Sequence, residues 1–227
     1  MRHEDPVRIA ASVHLGIAAS ATEAGLAGAV QIVPLINRFN PAGSTGHVHA
    51  ATTKPVFVTT KSHVNLVVAD TDSWEQIAAK TLEQLDAVES YVKNAFLGFE
   101  VPYVDKTGAE RRYLPDFICR VRTPGGEHFN LIVEITGFAK DKAEKRWFVN
   151  NRWLPAVNGQ REKMGLLPWY FVEVTDIERI KNQIAAQIEE IGHRIDDEAE
   201  RRDWRSLQDE SLRRIWDNPH DDVWDTL

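Results

Sequence analysis

The stretch from Leu114 to Gly137, LPDFICRVR-TPGGE-HFNLIVEITG, decides the fold. Two apolar runs rich in β-branched residues, Ile118 to Arg122 and Phe129 to Val133, flank a Pro124-Gly125-Gly126 cluster, the pattern of a β-hairpin. A turn centred on Gly125 sets Asp116 opposite Glu134 with both side chains on one face. Thr136, two residues on, joins that face. A slip of one residue reverses every side chain, so a bulge or the alternative register would separate the carboxylates.

Paired carboxylates at a strand end outline a divalent-metal site. Phosphodiester hydrolysis needs an activated water and relief of charge on phosphate and leaving oxygen. Hard carboxylate oxygens that leave positions to water and phosphate suit Mg²⁺, which acts as Lewis acid and water activator. A lysine beside it orients the water or steadies developing charge. The plainer alternative makes Asp116 a turn cap and Glu134 an exposed strand residue.

From Lys54 to Val174 the chain resembles the C-terminal part of the restriction subunit of type III restriction enzymes. The residues that carry the likeness are Thr52-Thr53-Lys54-Pro55-Val56-Phe57, Thr59-Thr60-Lys61-Ser62-His63-Val64-Asn65, Tyr91-Val92-Lys93-Asn94 and Leu97 to Tyr103. Arg112 to Phe117, Asn130 to Glu134, Leu154-Pro155-Ala156-Val157-Asn158 and the Trp169 to Thr175 run complete it. The resemblance implies a PD-(D/E)xK, restriction-endonuclease-like fold: a mixed β-sheet flanked by helices, preceded by an irregular lead and followed by a charged helix. It implies Asp116 and Glu134 as metal ligands, with Glu75 of an early helix as a third and Glu83 as a weaker competitor. One or two Mg²⁺ ions remain open.

The family consensus places lysine where this chain has Thr136. Lys140 and Lys142, expected at the start of the next helix, would reach back over the strand end, with Lys142 slightly favoured. The alternatives are a solvated helix face and loss of catalysis, which would leave a DNA-binding or scaffold domain. The implied partners are double-stranded DNA, a helicase-type translocase and a methyltransferase-type specificity subunit. No Gly-x-x-x-x-Gly-Lys-Ser/Thr loop occurs, so no ATP site of that kind is expected. The chain reads as a nuclease end without its motor, whether truncated product, separate module or excerpt.

Composition fits that reading. The 227 residues are 43% hydrophobic and include seven Trp, enough for a real core. The single Cys119 excludes an internal disulfide and fits a reducing cytoplasm. No apolar run is long enough for a membrane span. The net charge of −7 is unevenly spread: residues 91–165 hold 13 Lys/Arg against 9 Asp/Glu, and residues 166–227 hold 8 against 16. Arg111, Arg112, Lys145 and Arg146 fall in the basic part and are the expected DNA contacts. Trp147, Phe148 and Trp153 are read as core rather than base-stacking residues.

Three parts are expected: a lead over 1–70, the nuclease-like domain over 71–192, and a charged helical extension over 193–227. Trp74, Ile77, Ala78, Thr81, Leu82, Leu85 and Val88 recur at helical spacing. Phe99 to Tyr103 reads as the first core strand, Tyr113 to Val121 and Phe129 to Thr136 as the hairpin. Lys140 to Asn151 reads as a crossover helix, Trp169 to Val174 as a strand and Ile177 to Ile191 as a further helix.

Overall fold

The hairpin forms in the expected register. The structure, a computed structural model, describes residues 13–14, 35–36, 44–49, 51–68, 74–105, 107–136, 143–176 and 178–216. In chain order its strands and helices are β1 (Val13–His14), β2 (Leu35–Ile36), β3 (Val56–Val58), β4 (Leu66–Val68), α1 (Trp74–Gln84), β5 (Val88–Lys93), β6 (Val101–Val104) and β7 (Glu110–Tyr113). They continue with β8 (Phe117–Arg122), β9 (His128–Ile135), α2 (Ala143–Phe148), a π turn (Val149–Trp153), α3 (Leu154–Met164), β10 (Trp169–Val174) and α4 (Ile180–Trp216). Strands β8 and β9 pair antiparallel from Phe117↔Val133 to Arg122↔His128. Asp116 therefore stands opposite Glu134, one step beyond the end of the ladder.

The turn is fixed from outside. Thr123 N–H donates to the Glu127 carbonyl at 2.8 Å and Gly126 N–H to the Thr123 carbonyl at 3.0 Å. Gly126 takes φ +93°, open to glycine without cost. Gly125 is glycine for another reason: a Cβ there would lie 2.5 Å from Asp196 Oδ1. The Asp196 carboxylate on α4 accepts the Gly125 N–H at 2.9 Å and the Thr123 hydroxyl.

The main sheet has the order β10-β9-β8-β5, with β9 and β10 parallel from Asn130↔Trp169 to Ile135↔Val174. Helices cover both faces. Ala78, Ala79 and Leu82 of α1 and Ile180, Ile184, Ile188, Ile191 and Ile195 of α4 pack with Phe117, Leu131, Val133 and Val172. The isoleucines recur every three or four residues, one stripe of a helix. On the other face Phe148, Val149, Trp153 and Val157 pack with Val92, Ile118, Ile132 and Trp169. Phe99 stacks on Trp169 with ring centres 5.5 Å apart, and Trp153 meets Trp169 edge-on at 5.5 Å. A strand covered on both faces is apolar at consecutive positions, as in Leu131-Ile132-Val133. The chain is thus mixed α/β, and no described helix is long and apolar enough to cross a membrane.

Several expected elements are revised. Val88 does not continue α1: the helix stops at Gln84, the chain turns through Asp86-Ala87, and Val88 opens the first strand of the main sheet. Phe99 and Val101 are buried in the core as expected, but Val101–Val104 does not join the main sheet; it pairs with Glu110–Tyr113 in a separate two-stranded sheet. The expected Tyr113 to Val121 strand is broken at Leu114-Pro115-Asp116, because Pro115 has no N–H to continue a ladder. The crossover does not end at Asn151 but runs on through the π turn and α3, which accommodates Pro155 in its first turn. α4 runs unbroken from Ile180 to Trp216, across the division expected at 192. Phe148 and Trp153 are core, whereas Trp147 is 53% exposed with the Arg152 guanidinium 5.6 Å from its ring centre.

Asp196 and Gly125 test the clamp. Asp196→Ala removes two hydrogen bonds and Gly125→Ala forces the carboxylate aside, each expected to cost on the order of 2 kcal/mol in urea unfolding. With the carboxylate gone the added methyl meets no obstacle, so the double variant should be clearly more stable than the sum of the two losses implies. Additive losses would show that Asp196 does not hold the turn.

Candidate active site

Asp116 lies where β8 peels away from β9. The chain turns off at Pro115, and Asp116 Oδ2 accepts the N–H of Ile135 at 2.7 Å. The Asp116 carbonyl accepts the N–H of Asn94 at 2.9 Å. Asp116 is thus held by both neighbours in the sheet, and the cap reading and the ligand reading apply to the same side chain.

Glu134 is 5% exposed, an unusual place for a carboxylate, and is flanked in its strand by the apolar Val133 and Ile135. Its Oε2 accepts the Tyr113 hydroxyl at 2.7 Å. Glu173 is its register partner on β10 and shares its face. Thr136, also buried, donates its hydroxyl to Glu173 Oε1 at 2.7 Å, and Arg146 of α2 reaches Glu173 Oε2 at 2.7 Å. Tyr113 reports how closely these acids gather. Burial and then the charges of Glu134, Asp116 and Glu173, with the bond to Glu134, push its hydroxyl far above the ordinary value of 10. It stays a neutral donor.

The cationic side is supplied by α2. The Lys145 ammonium stands 5.5 Å from the centre of the Tyr113 ring, within cation–π range. Lys145 and Arg146, expected as DNA contacts, lie beside the acidic cluster, Lys145 over Tyr113 and Arg146 on Glu173. Lys140 and Lys142 lie outside the described residues. Thr136 occupies the strand position read from the sequence, and its hydroxyl serves Glu173.

Glu75 does not join the cluster. Its carboxylate pairs with Lys93, which also donates to the Val68 carbonyl at 2.8 Å. Lys93 is the register partner of Phe117 and so faces α1, the side of the sheet opposite Glu134. Glu83 is likewise occupied, accepting the N–H groups of Thr60 and Lys61 and the Tyr91 hydroxyl. Arg111 and Arg112 sit on the outer strand β7, 59% and 71% exposed, paired with Asp105 and Glu100.

Sequence reasoning did not single out Tyr113 or Glu173 as site residues. A lone acid inside Trp169-Tyr170-Phe171-Val172-Glu173-Val174 is a signal, because a carboxylate in a covered strand needs a partner. Its register against Glu134 is set by the parallel pairing, which no local pattern reveals.

Among the described residues no three His, Cys, Asp or Glu side chains form a group that would hold a metal ion by themselves. The donor chemistry still fits Mg²⁺, which commonly takes one or two carboxylates and fills the rest of its shell with water and phosphate. Asp116 and Glu134 are that pair. Comparison of the chain with family models, with curated proteins and with solved structures returns no match.

The shifted groups give an alkaline prediction. Tyr113 and Tyr91 are held well above 10 and buried Cys119 above 9, chiefly by burial in each case. A raised folded value favours the protonated native state, so this stability is whole below the unfolded value and is lost as pH rises past it. Each tyrosine should therefore steepen the fall of unfolding free energy above pH 10 by about 1.4 kcal/mol per pH unit. Tyr113→Phe should make that fall shallower by one proton's worth, read from urea titrations between pH 8 and 11 or so. An unchanged slope would place the hydroxyl outside a buried acidic site.

Proposed function

We propose that this chain is a Mg²⁺-dependent DNA endonuclease module of a type III-like restriction system, with the PD-(D/E)xK fold and a cytoplasmic setting. The observation that carries the reading is the pairing of Phe117 with Val133, which sets Asp116 against Glu134 beside Glu173, Tyr113 and Lys145. Support also comes from the chain rule that ligands of α/β sheets bind beyond the carboxyl ends of parallel strands. Glu134 and Glu173 stand at those ends of β9 and β10.

In this reading Asp116 and Glu134 hold the ion. Bound there, Mg²⁺ supplies Lewis acidity at the phosphate and lowers the pKa of a bound water. The remaining work belongs to the chain's own groups. Tyr113 fixes Glu134 by donating to Oε2, and the Ile135 N–H fixes Asp116. Neither carboxylate can then swing away when water or phosphate arrives. Lys145 offers the positive charge that Thr136 does not, placed to steady charge developing on the scissile phosphate; Lys142 and Lys140 are the other candidates for that role. Arg146 neutralises Glu173. Arg111 and Arg112, themselves exposed, can trade their part-buried carboxylate partners for backbone phosphates at little cost, since ion pairs made by exposed side chains are worth about 1 kcal/mol or less. A translocase and a methyltransferase-type specificity subunit would deliver the DNA.

A second reading rests on Thr136: its buried hydroxyl is committed to Glu173, and in that reading the domain kept the fold and DNA binding while losing the chemistry. Plasmid incubated with purified protein and Mg²⁺ or Mn²⁺ separates the two. The nuclease reading expects slow, sequence-indifferent nicking that is independent of ATP, abolished by chelation and absent in Asp116→Asn and Glu134→Gln. Whichever of Lys142 and Lys145 serves the phosphate should cost roughly a hundredfold in rate as alanine, with the other near wild type. DNA binding without any cleavage would favour the silent domain, and Thr136→Lys would then be the variant to gain activity. Cleavage that survives Asp116→Asn would sink the assignment.

A further inference from the structure

We propose that the cleft along the free edge of β10 is the track by which one nucleic-acid strand approaches the acidic cluster, an inference that rests on the nuclease reading above. β10 ends the sheet, so among the described residues its outer edge has no strand partner. Beside it opens a cleft of about 650 Å³ between α2 with the π turn on one side and α4 on the other. Glu173 and Arg146 line this cleft and also belong to the cluster, so the two are continuous.

The lining is chemically suited to a sugar–phosphate chain with its bases. Arg146 and Arg179 bring guanidinium groups, and Asn150, Asn182 and Gln183 bring side-chain amides. Such groups make most protein contacts to phosphate and sugar, and amides also read base edges. The single carboxylate in the wall, Glu173, is already bonded to Thr136 and Arg146, so it does not repel an anion as a bare acid would. Among the described residues Arg179 pairs with Asp176 at 3.6 Å and is 78% exposed, an ion pair weak enough to be exchanged for phosphate.

Gln183 adds a directional feature. Its Oε1 is buried and has no hydrogen-bond partner among the described residues, while the residue lines the cleft. Turned toward the cleft, the amide offers a base edge a donor and an acceptor together, whereas phosphate brings only acceptors. The cleft thus holds cationic donors for the backbone and an amide for a base. An extended peptide adding to β10 would need pockets for alternate side chains, and polar walls serve it poorly.

Fluorescence anisotropy in the Asp116→Asn background reads binding without cutting, using a labelled single-stranded oligonucleotide, its duplex and an abasic strand of the same length. Arg179→Ala should weaken all strands by roughly tenfold, the scale of a charge-assisted hydrogen bond, and flatten the salt dependence by about one unit of slope. Gln183→Leu should weaken the base-bearing single strand and leave the abasic one unchanged. Unchanged affinity and slope in both variants would overturn the track, as would binding of an extended peptide at β10 with no oligonucleotide effect. Circular dichroism melting of each variant keeps a folding defect from imitating either result. The two proposals fail separately. Wild type that never cuts, with binding still lost in Arg179→Ala, leaves the track standing without the nuclease. Wild type that cuts, with kcat/KM untouched by Arg179→Ala, leaves the nuclease standing without the track.

Discussion

The register of the β8–β9 hairpin is the constraint on which the rest depends. With the reversal set between Thr123 and Glu127, Phe117 faces Val133 and Arg122 faces His128. The same choice sends Phe117, Cys119, Leu131 and Val133 to the α1–α4 side and Ile118 and Ile132 to the α2–α3 side. A one-residue slip would exchange the two sets and bury Arg120 where Cys119 now lies. The turn is not left to its own preference, because Asp196 receives the Gly125 N–H and the Thr123 hydroxyl from α4. A helix remote in sequence thereby locks the two central strands, and α4 in turn is seated by its isoleucine stripe on the face that this register creates. Hairpin and helix specify each other.

Gathering Asp116, Glu134 and Glu173 at one end of that sheet runs against electrostatics, since burial and like charge both disfavour ionised carboxylates. The structure offsets this with donors matched to each acid: the Ile135 amide for Asp116, the Tyr113 hydroxyl for Glu134, and Thr136 with Arg146 for Glu173. Such a cluster adds little to stability compared with an apolar core of the same shape. Perturbed groups at the mouth of a sheet are a physical pointer to function, and Tyr113 is perturbed first by its burial and then by all three acids.

What was legible in the sequence followed from short-range rules. The hairpin register could be read because strand side chains alternate strictly and Pro124-Gly125-Gly126 leaves few places to turn. β10 was legible as a compact apolar run between breakers. The misread elements are those where local pattern and tertiary pairing disagree. Val88 continues the helical spacing of Leu82 and Leu85, yet the chain leaves the helix so that Val88 can pair with Val121. Val101 to Val104 has the composition of a core strand but finds its partner in Glu110–Tyr113. In the site, Asp116 and Glu134 were visible because both belong to one hairpin. Glu173 and Tyr113 come from strands whose register with Glu134 depends on the intervening helices and the second sheet. Glu75 was placed by the resemblance and its position in an early helix, and Lys93, a strand residue on the same side, claims it.

The substitution of threonine at 136 changes where positive charge must come from. A lysine at that position would project from the strand on the face shared by Glu134 and Glu173. Threonine is neutral and short, and satisfies only Glu173 Oε1. The described cations next to the cluster, Lys145 and Arg146, come instead from consecutive positions of α2, one over Tyr113 and one on Glu173. Their placement depends on how α2 is anchored. Phe148, Val149 and Trp153 all reach the core, and the π turn over Val149–Trp153 joins α2 to α3. A π turn holds one more residue than an α turn, so it offsets the face of α2 from that of α3 and helps set the side that Lys145 and Arg146 take. The charge balance of the cluster is thus tied to a backbone irregularity in the crossover, one layer away from the strands that bear the carboxylates.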